Sequence, residues 1–527
     1  MAKKKAAKSN STRPESTSAS AKKTASGAKK SAKAESAPKK AAPKKKTVGK
    51  GTEASAAKKP VATAPRQPEQ PPTPEVATRV ETATQEIGRS LWDHLDRRKP
   101  SVFERRWWLD NILEWATQDE SVKVQMFRFV DVLPSLKTSE AVARHLQEYF
   151  DEVRSHLPLA VRMGLDVAEP DSLLGKALAV NARINARKMA ERFIAGTRSE
   201  EIITSLTRLR RKGLTFTLDL LGECVLSDDE ADAYQQAYID LINEVAPHTE
   251  RWPVDPLLDY DERTQLPRCQ VSLKLSALAA NFKPIDPEGT AEEVKSRLRP
   301  IMETAREHDT AIHIDMEHYA FKDLTLNIFK EICSEPEFAD WRDVGIVVQA
   351  YLPEAEADLQ DLRDWAEERG TSICVRLVKG AYWDSEVMNA EYRNWKTPVY
   401  QNKWESDANF ERQTHFLMKH HEVLRPAIAS HNLRSIAHAI AWAKELKVPS
   451  NCWEIQMLHG MAEEQQTLLS ELGHRVRVYT PFGEMIPGMA YLVRRLLENT
   501  SNDSFLRHAH ANDASIDELL QAPAPVA

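Results

Sequence analysis

Polar and charged side chains stand at the C-terminal ends of a series of short β-like runs between residues 214 and 480. Side chains of these types bind anions, donate hydrogen bonds and transfer protons, so chemistry can occur wherever they converge. They are Glu223, Lys274, Asp315, Gln349, Arg376, Lys379, His431, Gln456 and Tyr479. The elements that carry these side chains must therefore bring their ends together.

Eight β-like runs follow one another along the chain, and amphipathic segments of helix length separate most of them. The runs are Leu214–Leu221, Gln270–Ser276, Ala311–Met316, Val344–Tyr351, Ser372–Lys379, Arg425–Ser430, Asn451–Met457 and Arg475–Tyr479. Eight βα units in series predict an α/β fold of the (βα)8 TIM-barrel type, whose chemistry lies at the C-terminal ends of the strands. We therefore expect one ring of converging polar groups at the barrel mouth.

The fifth run continues into the sequence RLVKGAYWD, in which Arg376 and Lys379 are followed by Tyr382 and Trp383. No G-x-G-x-x-G or Walker A sequence is present, so a cofactor with phosphates would need cationic side chains to hold it. Tyr382 and Trp383 would offer a stacking surface for a flat ring system. From the spacing alone, an ion pair between Arg376 and a carboxylate on a neighbouring strand explains the pattern equally well.

Asp315 is followed closely by Glu317 and His318 in the sequence IDMEH. Successive residues of a strand face opposite sides, which favours a hydrogen-bonding carboxylate in a polar barrel mouth over a metal site. Lys274 is a candidate Schiff-base lysine if its pKa is depressed. An ion pair between Lys274 and Asp315 across the mouth is the interpretation that we favour.

The segment Gly488–Asn499 places Tyr491, Arg494, Arg495 and Glu498 on one stripe of a predicted helix. By periodicity alone, such a stripe faces water. If it faces the barrel mouth instead, the two arginines form a clamp for a carboxylate, and Glu498 can take a substrate ammonium group. That arrangement would suit a small amino acid.

The N-terminal part of the 527-residue chain differs sharply in composition from the rest. Residues 1–60 contain 17 Lys and 1 Arg against 3 Glu, although the whole chain has a net charge of −6. Residues 1–80 have almost no large apolar side chains, which predicts a disordered basic tail. A solvated tail without specific nucleic-acid binding is the favoured interpretation, because basic runs bind polyanions non-specifically.

The remaining chain divides into a helical arm at 81–210, a barrel at 211–507 and a flexible C-terminal end at 508–527. The predicted helices are Thr84–Asp96, Ser101–Thr117, Asp119–Val132, Ser139–Phe150, Ser172–Ile194, Glu200–Lys212 and Ala514–Gln521. The five cysteines form no C-x-x-C pair, which indicates free thiols in a reducing compartment. With no membrane-spanning run and no secretory signal, we expect a cytoplasmic protein.

Several sequence segments, taken in order, resemble the flavin-dependent proline dehydrogenases, most closely the proline dehydrogenase region of bacterial proline utilization A. The segments are VSLKLSAL, VVQAY, RLVKGAYWD, SHN, EIQMLHGM, RVYTPFG and YLVRRLLEN. The resemblance extends from about residue 90 to 507. It implies a distorted (βα)8 barrel that binds FAD and oxidises L-proline to Δ1-pyrroline-5-carboxylate, with hydride transfer to flavin N5, as the first step of proline catabolism to glutamate.

By resemblance, each of the candidate residues has a role. Arg494 and Arg495 hold the proline carboxylate, Glu498 lies near the amine, and Glu223 forms a gating ion pair with Arg494. The other residues that line the substrate pocket are Lys274, Asp315, Leu458, Tyr479 and Tyr491. The residues that contact FAD are Gln349, Arg376, Lys379, Tyr382, Trp383, Ser430 and His431.

The resemblance also implies partners. A membrane quinone accepts the electrons, with peripheral association at the cytoplasmic face of the membrane, and a separate pyrroline-5-carboxylate dehydrogenase consumes the product. Some relatives continue into an aldehyde dehydrogenase module or begin with a ribbon-helix-helix domain, whereas this sequence ends at Ala527 and begins with the Lys-rich segment, and Ser430 stands where Thr is usual. Two other classes stay open on the residues alone: a Schiff-base barrel lyase, and a barrel scaffold tethered to nucleic acid by the basic tail.

Overall fold

Eight parallel strands pair in chain order, and the last strand pairs with the first to close a barrel. The structure is a computed structural model, and it describes residues 69–97, 119–157, 193–222, 225–483 and 515–525, with scattered positions between 158 and 192. The strands are β1 (Thr215–Leu220), β2 (Cys269–Leu273), β3 (Thr310–Ile314), β4 (Val344–Gln349), β5 (Ile373–Val378), β6 (Leu424–Ala429), β7 (Glu454–Leu458) and β8 (Val476–Phe482). The expected (βα)8 barrel is confirmed, and each predicted run contains most of one strand.

Helices precede the barrel, alternate with its strands and follow it. In the described residues they are α1 (Pro74–Asp96), α2 (Glu120–Val132), α3 (Ser139–Asp151), α4 (Ser199–Arg211), α5 (Asp228–Glu250), α6 (Pro256–Asp259), α7 (Pro287–Glu307), α8 (Lys322–Cys333), α9 (Ala355–Arg369), α10 (Trp383–Arg393), α11 (Lys403–Lys419), α12 (Leu433–Glu445), α13 (Glu463–Glu471) and α14 (Ile516–Leu519). Short 3-10 turns lie at Leu133–Ser135, Arg154–His156, Leu275–Leu278 and Tyr319–Phe321.

Alternate residues of each strand face either the helices or the barrel interior. Apolar side chains such as Leu218, Val271, Ile346, Val375 and Val478 are fully buried and belong to the main hydrophobic core. Burial of this apolar surface against the helices supplies the favourable free energy of the barrel. The interior positions are left available for polar side chains.

The lower part of the barrel interior is polar and close-packed. On β8, the Nε atom of Arg477 donates to Glu454 Oε1 at 2.8 Å, and its Nη1 atom donates to the Phe216 carbonyl at 2.6 Å. His313 on β3 is completely buried beside Gly345 of β4. A Cβ atom at Gly345 would lie 2.4 Å from His313 Nδ1, so only glycine leaves space for this imidazole.

The helical arm differs from the predicted one at its start. The α1 helix begins at Pro74, and the Thr73 side chain caps it by accepting from the Val76 N–H. The prediction placed this start at Thr84 and the end of the tail at residue 80, and that boundary was wrong because it falls inside α1.

The α2 and α3 helices share a separate apolar cluster that includes Phe129 and Val142. The predicted helix Ser101–Thr117 and most of Ser172–Ile194 lie outside the described residues.

Residues 515–525 of the predicted flexible C-terminal end pack against the barrel unit. The Leu520 side chain is fully buried, and its Cδ2 atom would lie 2.4 Å from a Cβ atom at Gly88 of α1. The Leu520 carbonyl accepts hydrogen bonds from Gln85 Nε2 at 2.6 Å and from Arg434 Nη1 at 2.7 Å. The expectation of a flexible end was therefore wrong for this segment, because Gly88 creates a space that one leucine fills.

The cysteine side chains that the structure describes form no disulfide bonds. The four described cysteines, Cys269, Cys333, Cys374 and Cys452, are free thiols. Burial raises the pKa of the Cys269 and Cys333 thiols to about 12. Among the helices that the structure describes, none combines the length and the apolar character needed to cross a bilayer.

We predict that Leu520→Ala releases the C-terminal segment from α1. Truncation of a fully buried leucine costs about 2–4 kcal/mol through lost transfer free energy and the residual cavity. Limited proteolysis followed by mass spectrometry should show much faster cleavage within residues 515–525. Leu472→Ala, at a leucine that is 49% exposed, is the matched control and should leave the cleavage rate unchanged. Equal cleavage of Leu520→Ala and the wild type would contradict the packing described here.

Candidate active site

Asp315, which directly follows β3, is the centre of a buried hydrogen-bond network at the barrel mouth. Its Oδ1 atom accepts from Ser272 Oγ at 2.6 Å and from Arg376 Nη1 at 2.6 Å. Its Oδ2 atom accepts from the Tyr479 hydroxyl at 2.7 Å and from Lys274 Nζ at 3.4 Å. One carboxylate therefore joins side chains from β2, β5 and β8 with the residue that follows β2. The predicted ion pair between Lys274 and Asp315 is present.

The protonation states of Asp315 and Tyr479 in this network are fixed at neutral pH. Burial raises the pKa of Asp315, but Lys274 and Arg376 outweigh burial and lower it to about 2. Burial and the nearby Asp219 and Asp315 carboxylates raise the pKa of Tyr479 well above its ordinary value. Asp315 is therefore an acceptor and Tyr479 a donor across the physiological range.

Arg376 forms the wall of the mouth opposite β1. Its guanidinium carbon lies 5.1 Å from the centre of the Tyr479 ring, and the side chain is almost completely buried. Among the residues that the structure describes, its Nε and Nη2 atoms have no hydrogen-bond partner. The alternative that Arg376 pairs with a neighbouring carboxylate is correct for Nη1, whereas the Nε and Nη2 nitrogens make no such pair within the described residues.

Two glutamine side chains leave buried acceptors in the same part of the barrel. Gln349 Nε2 donates to the Glu317 carbonyl at 3.0 Å, and Gln456 Nε2 donates to Glu454 Oε1 at 2.6 Å. Within the described part of the chain, the Oε1 atoms of both glutamines have no partner. A buried polar atom without a partner costs about 1–3 kcal/mol, so these donors and acceptors are suited to a polar ligand.

This donor set fits a flavin. The isoalloxazine edge carries both acceptors and an N–H donor, which complement the arginine N–H groups and the glutamine oxygens respectively. The residues also fit because Arg376 supplies a positive charge that can stabilise a reduced, anionic ring. Arg376 and Gln349 were both predicted from the sequence as cofactor contacts, and that role stays a prediction.

The outer mouth contains the remaining residues of RLVKGAYWD. Lys379 forms an ion pair with Asp407, which also binds Lys403 at 2.7 Å. The Tyr382 ring lies 4.4 Å from the His318 ring, and Trp383 Nε1 donates to the Tyr400 carbonyl at 2.8 Å. The Trp383 side chain is exposed. These cationic and aromatic groups lie on the surface next to β5, where a phosphate-bearing ligand can reach them.

The ends of β6 and β7 are joined through one imidazole. His431 Nε2 accepts a hydrogen bond from the Leu458 N–H at 3.0 Å, which places the ring proton on Nδ1 in the neutral tautomer. Ser430 Oγ accepts from the Asn432 N–H at 3.0 Å at the start of α12. Ser430, His431 and Leu458 therefore lie together at the mouth, as the sequence order of the strands implies.

The IDMEH sequence does not form a common ligand set. Asp315 belongs to the barrel interior, whereas His318 Nδ1 lies 3.2 Å from Glu386 Oε1. The Glu317 carbonyl accepts from Gln349. Asp315 and His318 therefore have different partners, and because both residues follow the end of β3, strand alternation does not account for their separation.

Asp219 on β1 was missed by the sequence reasoning, which singled out Glu223 instead. The Asp219 Oδ1 atom accepts from Lys274 Nζ at 2.9 Å, and its side chain is 1% exposed. The available signal was a single acid within the apolar run LTFTLDLL. Five other predicted residues lie outside the described residues: Glu223, Tyr491, Arg494, Arg495 and Glu498.

We predict that the destabilisation caused by Asp315→Asn depends on pH. The pKa of Asp315 is lower in the folded state than its ordinary value of 3.8, so its ionisation stabilises the protein above that value. The stabilisation is lost as the pH falls toward 2, and it amounts to about 2 kcal/mol. The difference in melting temperature between wild type and variant should therefore be large at pH 7 and shrink below pH 4. A difference that is independent of pH would contradict this assignment.

Comparison with protein families identifies two regions of the chain. A family model described as proline dehydrogenase matches residues 202–508, and one described as proline utilization A N-terminal domain matches residues 81–193. The first match contains every strand of the barrel, and the second contains α2 and α3. The two matches are separated by residues 194–201, so most of α4, which the prediction assigned to the arm, lies in the proline dehydrogenase match, and the division at residue 210 stays a prediction.

Individual relatives are similar to this chain over most of its length. "Bifunctional protein PutA" of Klebsiella aerogenes is 29% identical over 457 residues, which cover 85% of this chain and 31% of that protein. "Proline dehydrogenase 1" of Bacillus subtilis is 29% identical over 342 residues, which cover 65% of this chain and 96% of that protein. A crystal structure of proline utilization A from Bdellovibrio bacteriovorus, inactivated by N-propargylglycine, is 40% identical with a TM-score of 0.77.

This chain spans only part of the bifunctional proteins that it resembles. It covers 31% of the Klebsiella protein and 44% of the Bdellovibrio chain, although 84% of this chain matches the latter. The proline dehydrogenase model, by contrast, contains the whole barrel and the residues predicted for the clamp. Because this model matches more than half of the chain, the chain belongs to the proline dehydrogenase family.

Proposed function

We propose that the protein is an FAD-dependent dehydrogenase that oxidises L-proline to Δ1-pyrroline-5-carboxylate. The observation that carries the proposal is the Asp315 network at the barrel mouth, next to buried N–H groups of Arg376 that have no partner in the described structure. Family membership supports the substrate class. In this reaction proline loses a hydride and a proton as its C–N bond becomes an imine, and the flavin, when bound, accepts the hydride.

Two groups of residues would hold the cofactor. Arg376, Gln349, Ser430 and His431 line the inner mouth and would hold the ring system through hydrogen bonds. Lys379, Tyr382 and Trp383 lie at the outer mouth and would hold the phosphates and stack against flat groups. Lys379 already pairs with Asp407, so a bound phosphate and this carboxylate would share the lysine ammonium group.

The proposed substrate site combines two parts of the barrel. Arg494 and Arg495 bind the proline carboxylate, with Glu498 near the amine. Lys274, Asp315, Leu458, Tyr479 and Tyr491 line the pocket around the ring. An ion pair between Glu223 and Arg494 closes the pocket and excludes water, which strengthens the electrostatic contacts inside.

The Asp315 network would orient the substrate and stabilise charge rather than accept protons. The pKa of Asp315 is about 2, so its carboxylate has little affinity for a proton at neutral pH. The raised pKa of Tyr479 keeps its hydroxyl protonated. We therefore assign the proton of the proline amine to Glu498 or to solvent water, because the imine forms only from a neutral amine.

The proposed electron acceptor is a membrane quinone, reached by peripheral association of a cytoplasmic protein with the membrane. The product would pass to a separate pyrroline-5-carboxylate dehydrogenase in the conversion of proline to glutamate. The Schiff-base lyase is less well supported, because Lys274 lies 2.9 Å from Asp219 and 3.4 Å from Asp315. Two carboxylates stabilise its ammonium form, whereas Schiff-base formation requires the neutral amine.

A visible spectrum and a dye-reduction assay test the proposal together. We expect the purified protein to be yellow, to reduce an artificial electron acceptor with L-proline, and to be inactive with pyrrolidine, which lacks the carboxylate. A colourless protein that is inactive with proline would overturn the proposal. Trapping of Lys274 by borohydride in the presence of a carbonyl compound would support the lyase instead.

We predict that Arg494→Met and Arg495→Met each raise KM for proline strongly while bound flavin is retained. Loss of a bidentate carboxylate contact costs about 2–4 kcal/mol, which corresponds to an effect of roughly 30- to 1000-fold. Steady-state kinetics and the flavin content of each variant provide the measurement. The control is Arg299→Met on α7, which removes an ion pair with Glu335 and should leave KM unchanged. Values of kcat/KM within about threefold of wild type for both clamp variants would contradict the assignment.

A further inference from the structure

Asp219 lies deep in the barrel, at an inward-facing position near the C-terminal end of β1. Its neighbours in register are Ser272 on β2 and Pro481 on β8. The carboxylate is 1% exposed and binds the Lys274 ammonium at 2.9 Å, a shorter distance than the 3.4 Å between Lys274 and Asp315. Lys274 is itself almost completely buried. The lysine therefore bridges two buried carboxylates and lies nearer to Asp219.

Because Lys274 lies nearer to Asp219, Asp315 keeps its short contacts with Arg376 and Tyr479. Because Asp219 draws the ammonium toward β1, Asp315 Oδ2 makes its shorter contact, 2.7 Å, with the Tyr479 hydroxyl. Asp315 Oδ1 stays bound to Arg376 Nη1 at 2.6 Å. The charges also balance, since Asp219 and Asp315 face Lys274 and Arg376. Without the Asp219 charge, Asp315 would be the only anionic partner of Lys274 among these four groups. Lys274 would then compete with Arg376 and Tyr479 for the Asp315 carboxylate.

The backbone around Asp219 is held by a buried tyrosine. The Tyr238 hydroxyl on α5 accepts from the Leu220 N–H at 3.1 Å and donates to the Ser272 carbonyl at 2.6 Å. Its side chain is completely buried. The ends of β1 and β2 are thus fastened together, which fixes the separation between Asp219 and Lys274. Such a rigid support is expected where the geometry of a site matters.

We infer that Asp219 is a positioning residue, which acts through Lys274 to keep Asp315, Arg376 and Tyr479 in the arrangement required for proline oxidation. The inference rests on the proposed function. It deepens that proposal by assigning a role to a residue of β1 that none of the sequence motifs had singled out. Asp219 does not itself contact the ring of the substrate or the flavin in this assignment.

Asp219→Asn is the direct test, because asparagine keeps the shape of the side chain and removes its charge. We expect kcat for proline to fall at least roughly tenfold, with KM changed less than about threefold, since the carboxylate clamp is untouched. We also expect an altered visible spectrum of the bound flavin, because Arg376 is displaced when Lys274 moves onto Asp315. Flavin content should be retained, and Asp219→Glu should recover part of kcat.

A double-mutant cycle with Lys274→Met separates positioning from plain structural support. If Asp219 acts through Lys274, Asp219→Asn should have little further effect on kcat or on the flavin spectrum in the Lys274→Met background. Additive effects on kcat in the cycle, or an unchanged kcat in Asp219→Asn with only a lower melting temperature, would overturn the inference.

Asp259 provides a matched control. Its side chain is also 1% exposed and pairs with Arg210 at 2.6 Å and Arg268 at 3.1 Å, away from the barrel mouth. Asp259→Asn should lower the melting temperature while leaving kcat and the flavin spectrum unchanged. A wild-type protein that fails to oxidise proline would overturn the proposed function. The coupling between Asp219 and Lys274 in melting temperature would still show whether the two side chains interact, so the two failures are distinguishable.

Discussion

The buried carboxylate of Asp315 is the constraint on which the arrangement of the barrel mouth depends. A charge in this position is costly unless it is paired and fully hydrogen-bonded, and Asp315 receives four such contacts. These contacts come from separate parts of the chain, so the carboxylate fixes the relative positions of β2, β5 and β8. The same contacts hold Lys274 and Arg376 in place, and Arg376 is the cation that would stabilise a reduced, anionic flavin in the proposed reaction.

The polar interior differs from that of a barrel whose centre is filled by branched aliphatic side chains. Here Arg477 pairs with Glu454 lower down, and His313 fills the space opposite Gly345. A buried ion pair contributes little net stability compared with apolar packing. The stability of this fold therefore comes from the outward-facing strand residues and the helices that they pack against. The interior side chains are thus available to bind ligands and to pair charges.

The two ends of the described chain meet on the same helix of the barrel. Arg434 on α12 binds Glu81 of α1 at 2.8 Å and Glu411 of α11 at 2.8 Å, and it also donates to the Leu520 carbonyl. Burial lowers the pKa of Arg434, but hydrogen bonds to Glu81 and Glu411 outweigh it and raise the pKa. Since α12 follows directly after Ser430 and His431, this network supports the side of the mouth formed by β6. The packing of α1 and the C-terminal segment is thus connected to the candidate site through one helix.

The sequence alone was sufficient to predict the barrel and the location of many polar residues at its mouth. Eight runs with polar ends predict eight strands, and the rule that parallel strands end at one face brings Lys274, Asp315, Arg376 and Tyr479 together. Residues such as Gln349 could be placed at the mouth for the same reason. The family resemblance added roles for these residues, which the spacing of side chains could not supply.

Tertiary structure added the contacts that the sequence reasoning had not predicted. Asp219 lies within an apolar run, and its importance appears only when barrel closure places β1 beside β2 and brings its carboxylate to Lys274. The docking of Leu520 depends on the absence of a side chain at Gly88, a residue far away in the sequence. Local patterns determine which elements form, because periodicity and chain propensity act over a few residues. Pairing of charges and filling of gaps depend on distances across the fold, which no local pattern encodes.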